Sequence, residues 1–312
     1  MNNKNYCKIY CSPHIHSSET TGKIMLYVII SLLPALIGSV YFFGIYAFKV
    51  IITSVFSCFL SEFLFQILMK KEIRIFDGSA VVTGILLAFV LPPRIPLWIT
   101  AIGGFLAIFL VKELFGGIGF NIFNPALTAR AILLASYPVE MTKFINPLDY
   151  RIDAITSPTP LFIIKENLTQ KLPSLWQMFI GNRPGCIGET STVLLLIGGF
   201  FLLYKNVITW HIPITYILTV SILSLVFKQN VFYQIMGGGL ILGAFFMATD
   251  YVTSPITKRG KIIFGIGCGV ITFLIRKAGG YPEGVCYSIL FMNSLVPLIN
   301  RYTLPKKFGS RK

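Results

Sequence analysis

The sequence predicts an all-α polytopic membrane protein, with about ten transmembrane helices in two inverted five-helix repeats that include broken helices. Composition is the first observation behind this prediction. Of 312 residues, 54% are hydrophobic and only 12% are charged, with a mean hydropathy of +0.74, whereas soluble domains average about 25% charged residues. The second observation is run length. The stretch IMLYVIISLLPALIGSVYFF (24–43) is long enough to cross a hydrocarbon layer of about 30 Å, and it lacks the alternation typical of a transmembrane β-barrel.

Ten apolar segments give the predicted spans. They lie near residues 24–44, 47–69, 79–92, 96–112, 123–138, 190–205, 211–227, 231–249, 261–276 and 284–300. The third and fifth are short and contain Gly, Asn or Pro, which predicts broken or tilted helices. The chain therefore divides into five parts. These are a tail at 1–23, a first membrane repeat at 24–138, a loop at 139–189, a second membrane repeat at 190–300 and a basic tail at 301–312.

Lysine and arginine predict the orientation of these spans. Basic residues cluster in both tails, in the loop after span two and in the loop after span eight. With ten spans all four segments lie on one side, which the positive-inside rule identifies as the cytoplasm. Both termini are then cytoplasmic, and the 139–189 loop lies outside. The formal net charge of +15 does not indicate a nucleic-acid partner, because the basic residues are at helix ends and termini.

A weak internal similarity supports the two repeats. The segment GSAVVTGILLAFVLPP (78–93) resembles GGGLILGAFFMATDYV (237–252), and paired glycines recur at 116–117 and 279–280. Each half holds five spans, and an odd number makes the repeats inverted in the membrane, as in many transporters. Chance similarity between glycine-rich helices is the alternative.

Polar residues interrupt the apolar pattern at two places, GGIGFNIFNPAL (116–127) and MATDYVTSP (247–255). Backbone groups freed at membrane depth need partners in protein or water, so we expect broken helices that line a cavity, with Asn124 and Asp250 facing it. Five ionisable residues lie near the spans: Glu62, Glu113, Arg130, Asp250 and Glu283. Glu62 and Arg130 are the more central of these. The other three are near span ends, where interfacial solvation accounts for them.

Cysteine and histidine do not predict a metal site. Cys7 and Cys11 in the N-terminal tail are spaced more widely than usual metal pairs, and His14 and His16 lie in the same tail. A solvated tail is the favoured interpretation.

Six collinear motifs resemble one family. They are CSPHIHSSETTGKIML, DGSAVVTGILLAFVLPP, GGIGFNIFNPAL, TWHIPITYIL, FMATDYVTSPITKRGKIIFG and RKAGGYPEGVCYSILFMN. Together they resemble the NqrB/RnfD family over essentially the whole chain, and within it RnfD, which belongs to the Rnf ion-translocating oxidoreductase complex. NqrB, from the sodium-pumping NADH:quinone oxidoreductase, typically has a longer N-terminal region, whereas the first span here starts by residue 24.

The resemblance implies FMN joined through its phosphate to a threonine hydroxyl. The family's acceptor motif is roughly Asp-x-x-Ser/Thr-x-Ala-Thr followed by Pro-Leu, and DAITSPTPL (153–161) stands in that place. Thr159 is then the FMN acceptor, and Asp153 and Thr156 match the acidic and first hydroxyl positions. Pro158 stands where the family usually has alanine.

Two prolines predict the conformation of the implied acceptor. Pro160 biases Thr159 towards an extended backbone, and Pro158 fixes the backbone before it. We expect the Thr159 hydroxyl to project from a non-helical loop within reach of a modifying enzyme. An ordinary turn with threonine as a spacer is the alternative. A second hydroxyl cluster, GETST (188–192), is interpreted as a helix start in which Thr190 or a neighbour caps free amides.

The resemblance also implies the wider function. It predicts a component of the cell inner membrane that is not active alone. Its FMN takes electrons from a neighbouring flavin subunit on the outer face and passes them onward within the complex. The complex couples ferredoxin–NAD(H) redox chemistry to ion movement. The implied partners are the A, B, C, E and G components of the Rnf complex, membrane lipid and a flavin transferase that works outside the cytoplasm. Non-covalent riboflavin between the spans is a further implied cofactor, with Asn124 and Asp250 as candidate walls. The alternatives are a channel or transporter without redox chemistry, and a structural scaffold.

Overall fold

The computed structural model describes residues 20–71, 75–148, 157–169, 172–189 and 191–305, and within these ranges it is helical, with fourteen α-helices and no β-strand. The helices of the first half are α1 Thr21–Phe43, α2 Ile45–Leu68, α3 Ser79–Phe89, α4 Leu97–Phe105 and α5 Pro125–Ser136. Three short helices follow: α6 Pro138–Met141, α7 Pro160–Lys165 and α8 Leu175–Ile180. The second half contains α9 Thr192–Tyr204, α10 His211–Val226, α11 Val231–Met236, α12 Leu240–Leu242, α13 Lys258–Ala278 and α14 Val285–Thr303.

Two π-helical segments extend the α-helices. Leu106–Glu113 continues α4, and Gly243–Met247 continues α12. Short 3₁₀ turns at Ile75–Asp77 and Ile187–Glu189 precede α3 and α9. Because π-helical turns are rare and occur frequently at functional sites, these two segments mark regions of interest in each half.

Each predicted span overlaps one or more helices among the described residues. In the described part of the chain, α1 and α2 are long and apolar enough to cross a membrane, judged by length and composition, and four further apolar helices are shorter. As expected, spans three and five are short: α3 has 11 residues and α5 has 12. At 1.5 Å per residue these helices measure roughly 17 to 18 Å, little more than half of a hydrocarbon layer.

The eighth span differs from the prediction. The sequence predicts one helix over 231–249, but the structure divides it into α11, α12 and the π-helical segment Gly243–Met247. The break falls at Gly237–Gly239, where Gly238 and Gly239 have positive φ values of 59° and 67°. Only glycine adopts this left-handed backbone without strain, so the three consecutive glycines set the position of the break.

Side-chain caps start several helices. The Asn124 side chain accepts a hydrogen bond from the Leu127 amide at 3.2 Å, and Pro125 occupies the first helical position of α5. Thr257 caps α13 in the same way through the Gly260 amide at 3.0 Å. These are the residue types preferred at an N-cap and at the first helical position. The Asn-Pro pair therefore starts α5 at the interruption that the sequence shows.

The two halves contact each other through their first and their fifth spans. The first spans of the halves, α1 and α9, lie together, as do the fifth spans, α5 and α14. At the α1–α9 contact a Cβ on Gly198 would lie 2.1 Å from the Ser31 carbonyl oxygen. Such close backbone approach at small residues is typical of helix packing in membranes, and it joins the first half to the second.

Candidate functional site

Thr159 lies immediately before α7 and caps that helix. Its backbone is extended, with φ −69° and ψ 153°, as the following Pro160 predicts. Its hydroxyl oxygen accepts a hydrogen bond from the Phe162 amide at 3.4 Å. The expected exposure of this hydroxyl is wrong, because Thr159 is only 6% exposed. Capping turns the side chain towards the first turn of α7 instead of towards solvent.

Helix α7 is fixed against the second half. The Lys165 ammonium group donates hydrogen bonds to the Gly279 carbonyl and, at 3.2 Å, to the Tyr281 carbonyl. Leu161 packs on the glycine break, where a Cβ on Gly238 would lie 2.7 Å from Leu161 Cδ1. Thr159 is therefore positioned by contacts with the α13–α14 connection and with the break before α12.

Arg276 stabilises that break. Its guanidinium group is 5% exposed and donates to the Gln234 carbonyl at 2.5 Å and to the Gly237 carbonyl at 3.0 Å. Carbonyl groups at an interrupted helix lack intrahelical hydrogen-bond donors. The Arg276 guanidinium group donates these missing hydrogen bonds. In the sequence, Arg276 lies at the end of the ninth predicted span. Hydropathy alone does not reveal that its side chain turns inward.

A second buried arginine joins the two halves near the same break. Arg130 of α5 donates to the Val90 carbonyl and to the Glu283 carboxylate, and to Cys186 Sγ at 3.3 Å. Glu189 lies close by, with Oε1 3.0 Å from the position of a Cβ on Gly239. Burial raises the pKa of the Glu189 carboxyl, and the neighbouring Glu283 carboxylate acts in the same direction. Arg130 thus pairs with the half-buried Glu283 carboxylate and adds positive charge near the buried Glu189 carboxyl.

Asn124 and Asp250 line one cavity of about 110 Å³, which is partly open to solvent. The Asn124 amide donates to the Met247 carbonyl at 3.4 Å, which ties the start of α5 to the end of the second π-helical segment. The Asp250 carboxylate accepts hydrogen bonds from Thr253 Oγ1 at 3.1 Å and from the Val252 amide at 3.4 Å. The two interrupted segments therefore meet inside the molecule, as their sequences predict.

The lining of this cavity is mostly apolar, with a few polar side chains. Its polar side chains include Ser79, Thr83 and Thr249, and its aromatic side chains include Phe245 and Phe246. Small-molecule sites are typically apolar clefts with a few placed polar groups. Thr159 is absent from the residues that line the cavity, so the two predicted cofactor positions are separate places.

Sequence reasoning missed a buried lysine. Lys112 is 3% exposed and binds Glu62 Oε1 at 2.7 Å. The interfacial solvation expected for Glu113 is wrong, because Glu113 is also buried. Glu283 and Asp250 are half-buried, and Glu283 pairs with Arg130. An acidic residue in a span does signal a buried basic partner, but the pattern does not identify which one.

Several predicted residues lie outside the described part of the chain. They are Asp153, Thr156, Thr190 and the tail residues Cys7, Cys11, His14 and His16. Next to Thr190, Ser191 caps α9 and accepts a hydrogen bond from the Leu194 amide at 3.4 Å.

Comparisons with known proteins identify relatives along the whole chain. The model of the NQR2, RnfD, RnfE family matches residues 8–309. The D subunit of the proton-translocating ferredoxin:NAD(+) oxidoreductase complex of Clostridium ljungdahlii is 47% identical over 324 residues, covering 99% of this chain and 98% of that protein. The D subunit of the Na(+)-translocating ferredoxin:NAD(+) oxidoreductase complex of Acetobacterium woodii is 49% identical over 304 residues, covering 96% of this chain and 95% of that protein. The D subunit of the ion-translocating oxidoreductase complex of Stutzerimonas stutzeri is 38% identical over 330 residues, covering 93% of each chain.

Proposed function

Because the chain belongs to the NQR2, RnfD, RnfE family, we propose that it is the flavin-carrying membrane component RnfD of an ion-translocating ferredoxin:NAD(+) oxidoreductase complex. The observation that carries the proposal is near-complete coverage, at 47% and 49% identity, of two relatives whose complexes are named for that activity. Its partners are then the A, B, C, E and G components of the Rnf complex, together with a flavin transferase during maturation. The site of action is the cell inner membrane.

Thr159 is the proposed attachment point for FMN, and Thr156 is part of the recognition motif. The geometry of Thr159 is compatible with a phosphoester. Its oxygen accepts a hydrogen bond from the Phe162 amide, and this bond does not use the hydroxyl hydrogen that esterification replaces. The α7 cap therefore survives modification. Burial of the side chain implies that the flavin transferase acts before α7 docks, or while it is undocked. Bound FMN supplies electron transfer, and the protein supplies its position and electrostatic surroundings.

The cavity lined by Asn124 and Asp250 is the proposed riboflavin site. Its interior position and mixed lining support this assignment. Asn124→Leu and Asp250→Leu should slow electron transfer through the complex and leave the FMN bond at Thr159 intact, because attachment occurs in a different part of the molecule. Unchanged turnover in both variants would argue against the assignment.

Inverted five-helix repeats remain our proposed architecture. The pairings of α1 with α9 and of α5 with α14 are those that a two-fold axis between the repeats would produce. Two basic residues, Lys112 and Arg276, lie near the ends of the fourth spans of the two halves and make similar hydrogen bonds. Lys112 donates to Ser79 at the start of α3, and Arg276 donates to Gly238 just before α12. The charge pattern supports cytoplasmic termini and an external 139–189 loop.

A channel or transporter without redox chemistry is the second candidate, favoured by broken helices that line an internal cavity. Denaturing gel electrophoresis separates the two functions. The purified complex should give a flavin-fluorescent band at the 34.8 kDa of this chain, and Thr159→Ala should abolish the band while the protein stays in the membrane. A non-fluorescent wild-type band would reject the flavoprotein function and favour the channel.

A further inference from the structure

One buried amide in α14 contacts both of the interrupted segments. It belongs to Asn293, which lies near the middle of the tenth predicted span and is 1% exposed. Asparagine is among the weaker helix formers, and burying an amide is costly unless it is hydrogen-bonded. The hydrogen bonds of this side chain therefore explain why a polar residue stands at this depth.

The Asn293 amide satisfies its neighbours in one orientation only. Its oxygen then accepts a hydrogen bond from the Asn124 backbone N–H at 3.1 Å, and its nitrogen donates to the Thr253 carbonyl at 3.0 Å and to the Ile289 carbonyl at 3.2 Å. Backbone groups freed at membrane depth must find partners within the protein or in water. One side chain thus pairs a backbone group of the first interruption with a backbone group of the second.

These contacts lie behind the wall of the Asn124–Asp250 cavity. Asn124 and Asp250 line the cavity, whereas Asn293 and Thr253 are absent from its lining. The Thr253 hydroxyl donates to the Asp250 carboxylate at 3.1 Å. A chain of hydrogen bonds therefore runs from Asn124 through Asn293 and Thr253 to Asp250, and it joins the two polar residues across the cavity.

Burial makes this chain of hydrogen bonds rigid. Asn124 is 3% exposed and Thr253 is 2% exposed, so bulk water does not compete for the links. Fully paired polar networks in such surroundings fix a single arrangement of the groups they connect. Asn293 holds main-chain atoms at both ends, so it determines where the lining residues stand and not only how their side chains turn.

We propose that Asn293 is a positioning residue for non-covalent riboflavin, which sets the spacing of Asn124 and Asp250 without touching the flavin. The inference rests on the proposed function, because that function places riboflavin in this cavity. Without the Asn293 amide, the Asn124 N–H and the Thr253 carbonyl lose their shared partner. Unpaired buried groups are costly, so the two segments shift to reach other partners. The cavity then loses the arrangement that is organised for the ring before it binds.

The test measures riboflavin in the purified complete complex. Denaturation leaves FMN on the chain and releases riboflavin, which chromatography separates from other flavins. Asn293→Leu has a similar size but no amide, and it should speed the loss of riboflavin after dilution about tenfold. Asn293→Asp keeps an acceptor for the Asn124 N–H in either protonation state, so it should bring the rate back towards the wild-type value.

Ser288→Ala is the matched control. Ser288 lies in the same helix, is fully buried, and forms hydrogen bonds with the Tyr216 hydroxyl at 3.0 Å and the Thr272 hydroxyl at 2.7 Å. It is absent from the cavity lining. This variant should lower the unfolding temperature and leave the rate of riboflavin loss unchanged, which separates positioning of the flavin from general stability.

Four outcomes would overturn the role of Asn293. They are wild-type retention of riboflavin in Asn293→Leu, equal rates of loss in the leucine and aspartate variants, equally fast loss in Ser288→Ala, and a chain that assembles in none of the Asn293 variants. If only Asn293→Leu fails to assemble, Asn293→Ser, which removes the amide without adding bulk, decides by the same measurement. A wild-type complex that releases no riboflavin would instead reject the proposed cofactor itself.

Discussion

Thr159 shows how one side-chain oxygen serves structure and chemistry at the scale of a residue. The oxygen caps α7 as an acceptor, and the proposed ester replaces only its hydrogen. Thr159→Ser should therefore keep FMN. Thr159→Val, which has nearly the same shape without the hydroxyl, should lose it. Loss of an N-cap costs about 1 kcal/mol, too little to remove the protein from the membrane. Intact-mass measurement of the purified chain checks both outcomes.

Ser174 offers a matched control for this experiment. It caps α8 in the same loop and accepts a hydrogen bond from the Gln177 amide at 3.2 Å. Ser174→Ala should remove a cap and leave FMN in place. Retained FMN in Thr159→Val would refute the acceptor assignment, and loss of FMN in Ser174→Ala would show that the loop caps, not the acceptor hydroxyl, control flavin attachment.

Arg130 gives a stability prediction at the same scale. Arg130→Leu leaves the Glu283 carboxylate and the Val90 carbonyl without this donor. Removing one partner of a buried ion pair costs about 3–5 kcal/mol, so thermal unfolding of the detergent-solubilised protein should begin at a clearly lower temperature. Arg130→Leu/Glu283→Gln should recover part of the loss, because it removes the stranded charge. Equal unfolding temperatures for the single and double variants would mean that the stranded Glu283 charge is not what destabilises Arg130→Leu.

At the scale of elements, the sequence predicted the spans well and the interruptions in part. Continuous apolar runs identify helices because a membrane-spanning backbone must form its hydrogen bonds within the segment. The Asn124–Pro125 pair correctly predicted an interruption at the start of α5. The break at Gly237–Gly239 was missed because apolar residues flank it on both sides. The π-helical Leu106–Glu113 was missed because its hydrogen-bond pattern leaves no mark on hydropathy. The buried positions of Lys112 and Arg276 were not predicted, because long side chains near span ends can turn inward or outward and hydropathy does not show which.

The α1–α9 contact yields a prediction about the joint between the halves. Gly198→Ala places a methyl group where the Ser31 carbonyl oxygen lies 2.1 Å away. Backbone atoms cannot yield as a flexible side chain does, so the helices must separate, and overpacking of this kind costs about 1–3 kcal/mol. Thermal unfolding of the purified chain should show lower stability. Gly22→Ala in α1 is the control, because no atom lies within 4 Å of its Cβ position. Equal losses in the two variants would count against a tight contact at Gly198.

At the scale of the whole molecule, the orientation decides whether the proposed chemistry takes place on the correct side. The 139–189 segment carries Thr159 and docks α7 on the connection between α13 and α14. If FMN is attached outside the cytoplasm, this connection and the break at Gly237–Gly239 face outward. One orientation measurement therefore tests the proposed side of FMN attachment.

Single introduced cysteines test that orientation. In a background with Cys7, Cys11 and Cys286 changed to serine, Ser174→Cys should react with an impermeant thiol reagent added outside intact cells, because residue 174 is exposed in the loop. Ser310→Cys, in the basic C-terminal tail, should react only after the membrane is opened, since positively charged tails stay in the cytoplasm. The parent background should remain unlabelled in both conditions, because the other three cysteines are buried. Labelling of Ser310→Cys but not Ser174→Cys in intact cells would reverse the topology. Thr159 would then lie on the cytoplasmic side, where a transferase that works outside the cytoplasm cannot reach it.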